Sequence, residues 1–260
     1  MLSNTQVFSK TVHMVCSSDR CMSIVQEILQ RRDQLRREGK VPASTHMADR
    51  PIFIWEPVPD LCTPEEQDKF FAAIRIVDVV SPNELELGMM FDRPGWAEEK
   101  EEDRELVRRI LKSGIGPTGK GVLSIRAGKD GSYSYMQNQR IWLPAYHEPD
   151  PPKPSPVVDP TGAGNSYLGA LAQGMVSGNR EPVRAIEAIF AASDKGTLES
   201  WGEYRYIPIA LIIATVAAGF VVEQIGVPRR ISRSAQGKEL WNGSEFIERI
   251  RLYTERLCCR

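Results

Sequence analysis

Residues 157–169 have the residue types and spacing that most clearly suggest a binding site. Their pattern predicts the end of a strand, then a glycine loop, then the start of a helix. Gly162 and Gly164 allow the backbone to approach a ligand closely. The N–H groups of Gly162, Ala163, Gly164 and Asn165 are expected to converge at the N-terminus of the helix, where the helix dipole favours an anion. Phosphate is therefore the predicted ligand. The spacing fits neither the Walker motif nor the dinucleotide-binding pattern G-x-G-x-x-G.

Two shorter patterns also lie where predicted strands end. Asn83 and Glu86 stand three residues apart after one apolar run, and Gly128 and Gly131 follow a second run that ends near Arg126. Each pattern has a purely structural alternative. Asn83 is a suitable N-cap for a helix, and two glycines at this spacing can form an ordinary hairpin turn.

In this order the three patterns resemble those of the pfkB, or ribokinase-like, carbohydrate kinases. That family carries an Asn-x-x-Glu motif, a strand with a Gly-x-x-Gly loop, and the signature Asp-Thr-x-Gly-Ala-Gly-Asp before a helix of small residues. Residues 217–226 are similar to its late helix beside the adenine site, and the resemblance covers residues 51–230. The wording Asp-Pro-Thr-Gly-x-Gly-Asn resembles a fungal, maintenance-of-killer type branch. The resemblance implies ATP and Mg²⁺ as cofactors.

The resemblance also implies a role for each candidate residue. An anion hole for the charge that develops in phosphoryl transfer is implied for Gly162, Ala163 and Gly164, beside Asn165 at the catalytic position. Nucleotide contacts are implied for Asn83, Gly128, Gly131 and Arg126, the last standing where the family often has threonine. Ordering of Mg²⁺ through water is implied for Asn83 and Glu86. A monovalent cation such as K⁺ is implied for Asp159 and Thr161.

Asn165 separates two functional hypotheses. The family has an aspartate there that takes a proton from the attacking sugar hydroxyl, and a neutral amide cannot accept that proton. One hypothesis is ATP-dependent phosphoryl transfer to a sugar-like or nucleoside-like alcohol, with its activity in doubt because the base is replaced. The alternative is a nucleotide-binding pseudokinase that regulates or scaffolds a partner.

Composition argues against several other classes of protein. The 260 residues include 33 Lys and Arg against 34 Asp and Glu, so no basic field favours nucleic acid or an acidic membrane. The five cysteines and three scattered histidines lack metal-ligand spacing. No secretory signal is recognised, so a cytoplasmic location is expected. Residues 207–222 are apolar but shorter than the roughly 20 residues of a membrane span, which predicts a buried helix. The oligomeric state is left open.

The pattern of apolar residues predicts the elements that would position these motifs. Strands are expected near residues 11–17, 51–56, 78–81, 122–127, 132–136 and 140–143. Helices are expected near residues 22–38, 63–77, 83–91, 97–113, 165–177, 181–193, 208–224 and 243–257, with a capping box from Thr63 to Glu66. Prolines between residues 149 and 160 predict a stiff surface loop.

This alternation predicts an α/β fold with a doubly wound, mostly parallel sheet sandwiched between helices and ligands at the carboxyl ends of its strands. Residues 1–50 are interpreted as a remnant of the family's N-terminal half, whose Gly-Gly motif has no counterpart here. Residues 51–260 are interpreted as the nucleotide-binding core of one domain, truncated at the N-terminus. Residues 193–206 are interpreted as an insertion.

Overall fold

The computed structural model describes residues 2–42, 50–148, 152, 154–193, 202, 204–233 and 237–260. They form two compact units, the first comprising Met1–Ala127 with Ser132–Trp142 and the second comprising Gly128–Gly131 with Leu143–Arg260. Residues 149–151 and 153 of the predicted proline-rich loop, and most of the predicted insertion at residues 193–206, lie outside the described residues.

A mixed, mostly parallel sheet organises the first unit. Its six strands neighbour one another in chain order: β1 (Thr11–Cys16), β2 (Ile52–Pro57), β3 (Val79–Val80), β4 (Val122–Arg126), β5 (Ser132–Met136) and β6 (Gln139–Leu143). Strands β1 to β4 are parallel, and β5 pairs antiparallel with β4. The helices of this unit are α1 (Asn4–Val7), α2 (Ser18–Arg37), α3 (Gln67–Ile74), α4 (Glu84–Met90) and α5 (Glu101–Ser113).

The core of the first unit lies against strand β2. Phe53 and Trp55 of this strand are fully buried, and Phe70 of α3 packs with its ring centroid 5.8 Å from that of Trp55. Burial of each such side chain stabilises the fold by about 1.5–3 kcal/mol. Helix α2 contributes Cys21 and Val25, which lie four residues apart on its buried face. The packing therefore fixes the carboxyl ends of neighbouring parallel strands at one edge of the sheet.

The second unit is mainly helical. Its elements are α6 (Ala163–Met175), α7 (Glu181–Ala192), α8 (Tyr206–Val221), α9 (Phe246–Cys258) and a small antiparallel pair, β7 (Arg230–Arg233) with β8 (Glu239–Trp241). Helices α6 and α8 approach closely at Gly174, because a Cβ built there would lie 2.7 Å from the Cα of Ala210. Most of α8 is buried, as predicted. None of the helices that the structure describes is both long and apolar enough to cross a membrane.

Several boundaries differ from the prediction for local reasons. The expected capping box at Thr63 is wrong, because residues Pro64–Glu66 form a 3₁₀ turn without a side-chain cap and the α-helix begins only at Gln67. Helix α6 begins at Ala163, two residues before the predicted start. The β7–β8 pair was not predicted, because its strands are only four and three residues long and β7 is rich in arginine and serine.

Candidate functional site

The glycine loop of the second unit has the backbone geometry of a tight turn into a helix. Gly162 is the N-cap of α6 with φ +83°, a left-handed conformation that favours glycine. The N–H of Ala163 donates to the carbonyl of Pro160 at 3.1 Å. Gly164 and Asn165 lie in the first helical turn, where backbone N–H groups have no partner inside the helix. These two N–H groups therefore lie at the N-terminus of α6, and their role towards an anion stays a prediction.

The strand end predicted before the glycine loop is wrong, because residues 157–160 form no strand and are tied to the end of α8 instead. The N–H groups of Val158 and Asp159 both donate to the carbonyl of Val222, at 2.7 and 3.2 Å. A Cβ at Gly162 would lie 3.7 Å from the side chain of Val221, so the loop rests on this helix end. The glycine loop is thus held by its neighbours within the second unit.

Asp159 and Thr161, the predicted monovalent-cation residues, lie side by side in this loop. The Asp159 carboxylate accepts a hydrogen bond from the Thr161 N–H at 2.9 Å, which is an Asx turn. Hydrogen bonds from the Thr161 backbone and side chain hold the pKa of Asp159 below its ordinary value. The pair shapes the turn that leads to Gly162, and its role towards a cation stays a prediction.

Asn83 and Glu86 of the first unit bind each other in a reciprocal capping box at the start of α4. The Asn83 side-chain oxygen accepts from the Glu86 N–H at 2.8 Å. The Glu86 carboxylate accepts from the Asn83 N–H at 2.8 Å and from the Asn83 side-chain amide at 2.7 Å. The structural alternative for Asn83, helix capping, is therefore the arrangement observed.

Arg126 at the end of β4 contacts this capping box. Its Nη2 atom donates to Glu56 Oε1 at 2.7 Å, to the carbonyl of Ser81 at 3.1 Å and to Glu86 Oε2 at 3.3 Å. The structure thus brings together three of the predicted residues: Asn83, Glu86 and Arg126. They meet through ion pairing and hydrogen bonding near the carboxyl ends of β3 and β4.

Glu56 and His13 belong to the same cluster and were missed by sequence reasoning. Glu56 is only 8% exposed near the end of β2, and its Oε2 atom lies 3.8 Å from His13 Nε2, beyond hydrogen-bond range. Neither of these atoms has a hydrogen-bond partner among the described residues. The signal available in the sequence was that Glu56 is a carboxylate at the end of the apolar run of residues 51–56.

The two carboxylates of the cluster have opposite pKa shifts. Burial raises the pKa of Glu86, and its hydrogen bond from Asn83 and the charge of Arg126 only partly offset this. Burial acts in the same sense on Glu56, but contacts with His13 and Arg126 outweigh it and hold the pKa of Glu56 below its ordinary value. The contact with His13, which lowers the pKa of Glu56, has no counterpart at Glu86, and the like charges of Glu56 and Glu84 further raise the pKa of Glu86.

Gly128 and Gly131 form the turn between β4 and β5, with the Gly131 N–H donating to the Gly128 carbonyl at 3.2 Å. Both glycines have positive φ, at 51° and 87°. A Cβ at Gly131 would lie 2.0 Å from the carbonyl oxygen of Leu143, so only glycine fits there. The hairpin alternative is the observed geometry, and a nucleotide contact by this loop stays a prediction.

In the arrangement observed, the Asn83–Glu86 region does not fit direct ligation of a magnesium ion, and the ordering of Mg²⁺ through water stays a prediction. Mg²⁺ takes oxygen ligands in a near-ideal octahedron and usually keeps several waters. Here both Glu86 oxygens already accept hydrogen bonds, and the guanidinium of Arg126 stands between the two carboxylates. No group of three His, Cys, Asp or Glu residues able to hold a metal occurs in the part of the chain that the structure describes.

Comparison with known proteins agrees with this motif set. Residues 55–190 match the pfkB family of carbohydrate kinases, and the chain belongs to that family. It is 27% identical over 249 residues to the protein MAK32 of Saccharomyces cerevisiae, covering 93% of this chain and 56% of MAK32. It is also 27% identical over 267 residues to an uncharacterised protein of Schizosaccharomyces pombe, covering 99% of this chain and 63% of that protein. The predicted family and its fungal branch are confirmed.

A solved structure agrees with the predicted fold. Arabidopsis thaliana ribokinase, solved in complex with ribose and ATP, superposes with a TM-score of 0.53 at 17% identity, over 97% of this chain and 58% of that chain. The ribokinase-like α/β fold is thereby confirmed. The chain spans less than two thirds of the length of either curated relative.

Proposed function

We propose that this chain binds the phosphates of an adenine nucleotide at its glycine loop and has lost efficient phosphoryl transfer. The observation that carries the proposal is the start of α6, where Gly162 turns the chain and the N–H groups of Gly164 and Asn165 lie in the first helical turn. Family membership supports a nucleotide as the anion, because a ribokinase of this fold was solved with ATP.

The loss of efficient transfer is inferred from Asn165. The residue is exposed in the first turn of α6 and carries an amide, which cannot serve as a general base. Loss of a positioned base typically costs about 10²–10⁴ in rate. We therefore propose a nucleotide-binding pseudokinase of the pfkB family.

Calorimetric titration with ATP and ADP tests the proposal. We expect saturable binding to the native chain, and we expect Gly162→Asp to abolish it, because a carboxylate and a Cβ would stand where phosphate approaches. Gly226→Asp is the matched control. Gly226 has φ +87° and open space around its Cβ position, so it carries the same backbone strain outside the loop. Absence of binding at millimolar nucleotide by the folded native chain would refute the proposal.

A second candidate is a slow but genuine carbohydrate or nucleoside kinase. The preserved glycine turn favours it, since phosphoryl transfer depends largely on positioning and on stabilising charge in a loose transition state. Such an enzyme would transfer the terminal phosphoryl group to a sugar-like alcohol without a side-chain base at residue 165. Measurable product from ATP and a panel of sugars and nucleosides, abolished by Gly162→Asp, would favour this candidate.

A further inference from the structure

The Nη2 atom of Arg126 occupies a cage of oxygen atoms. Two of the oxygens belong to the carboxylates of Glu56 and Glu86, and the third is the carbonyl of Ser81, at distances of 2.7, 3.3 and 3.1 Å. The three charged side chains are between 4% and 13% exposed. Carboxylate and carbonyl oxygens converging in this way are the ligands that hard divalent cations take in proteins.

We propose that the guanidinium of Arg126 takes the place of a divalent cation in this protein. The cluster carries its own positive charge. This inference stands on the cluster alone and does not depend on the proposed function.

Charge and burial support the replacement of a divalent cation by the Arg126 side chain. A divalent ion entering the cage would displace Arg126 from both carboxylates and leave its guanidinium buried without a counter-charge, which is strongly unfavourable. The threonine that the family often has at this position could not supply a positive charge.

Titration with Mn²⁺, followed by the electron paramagnetic resonance of the free ion, tests the proposal. We expect no site with a dissociation constant below about 1 mM in the native chain. Arg126→Thr should open the cage and raise the affinity for Mn²⁺ about tenfold or more. The double variant Arg126→Thr/Glu86→Gln should lose this gain. Arg140→Thr is the matched control, because it also removes an arginine from a glutamate, Glu98, but at a half-exposed position.

A gain in Mn²⁺ affinity in Arg126→Thr that exceeds the gain in Arg140→Thr supports the proposal, and equal gains in affinity overturn it. Should Arg126→Thr not fold, the native chain and Glu86→Gln decide the question. A native Mn²⁺ site that Glu86→Gln removes overturns the proposal, and the absence of such a site supports it.

Discussion

Asn165 is the residue that distinguishes the proposed nucleotide binding from catalysis of phosphoryl transfer. Its position in the first turn of α6 places it beside the proposed phosphate site, but its amide oxygen cannot take a proton from an alcohol. Asn165→Asp should therefore raise phosphoryl transfer from ATP to a sugar or nucleoside, by up to about 10²–10⁴-fold. The rate is measured as ADP release that depends on the acceptor.

Asn165→Ala serves as the control, because it removes the amide without adding a base and should give no gain. An aspartate in a first helical turn also interacts favourably with the helix dipole, so the unfolding free energy of both variants is measured in parallel. Transfer that stays at the blank level in Asn165→Asp, with nucleotide still bound, would contradict a simple loss of the base.

Residue-level predictions from sequence were most successful where the motif is local. The glycine loop and the Asn83–Glu86 pair each lie within a few residues of chain, and their backbone geometry follows from residue type. The partner of Arg126 could not be found in this way. Glu56 is 70 residues away in sequence, and only strand pairing brings the two together.

At the scale of elements, the capping box is expected to stabilise the start of α4. Asn83→Ala should lower the free energy of unfolding by about 0.5–2 kcal/mol, because the Glu86 N–H loses its acceptor. The free energy is measured by urea denaturation. Asn83→Ser keeps an N-cap oxygen and should lose much less. Equal losses of unfolding free energy in Asn83→Ala and Asn83→Ser would show that the N-cap hydrogen bond contributes little to stability.

The turn between β4 and β5 should tolerate only glycine at residue 131. Gly131→Ala places a methyl group 2.0 Å from the Leu143 carbonyl oxygen, so the backbone must move, and we expect a loss of roughly 1–3 kcal/mol or more. Gly39→Ala is the control, since Gly39 also has positive φ but open space around it. A thermal melt of Gly131→Ala that matches the melt of Gly39→Ala would contradict the clash.

Elements with clear apolar periodicity were predicted to within a few residues, and those without it were not. Strand β2 and helix α7 match their predicted segments to within one residue at each end, because the spacing of their apolar residues shows which face is buried. The pair β7–β8 carries no such pattern. At Thr63 the residue types suited a capping box, but the chain there adopts a 3₁₀ turn instead.

On the scale of the whole molecule, the buried cluster should make stability depend on pH. The folded pKa of Glu56 is lowered, so its contribution is present above the ordinary value of 4.5 and is lost as the pH falls through the folded value. Glu56→Gln should therefore flatten the acid side of the plot of unfolding free energy against pH. The plot is obtained from urea melts between neutral and acidic pH.

Glu105→Gln, a change on the exposed face of α5, is the control and should leave the acid slope unchanged. Glu86 acts in the opposite sense. Its folded pKa is raised by burial, so its ionised form opposes folding as the pH rises from 4.5 through the folded value. A plot of unfolding free energy against pH for Glu56→Gln that runs parallel to the native plot would contradict the contribution assigned to Glu56.

The order of elements also allowed the fold class to be predicted, because alternating strands and helices permit few topologies. The parallel order of β1 to β4 follows this rule. What sequence could not supply is the close approach of α6 and α8, which depends on glycine and alanine meeting at Gly174 and Ala210. Residues that are small for packing look the same in sequence as residues that are small for flexibility.

The fixed position of the glycine loop has a thermodynamic consequence. The loop is tied at Val222, and α6 packs closely against α8 at Gly174. Ordering of the loop then occurs when the chain folds, so the proposed binding of an anion would cost little additional conformational entropy. If the loop binds an anion as proposed, backbone N–H groups would set the preferred size and shape of that anion, and exchanging nearby side chains would change the affinity more easily than this preference.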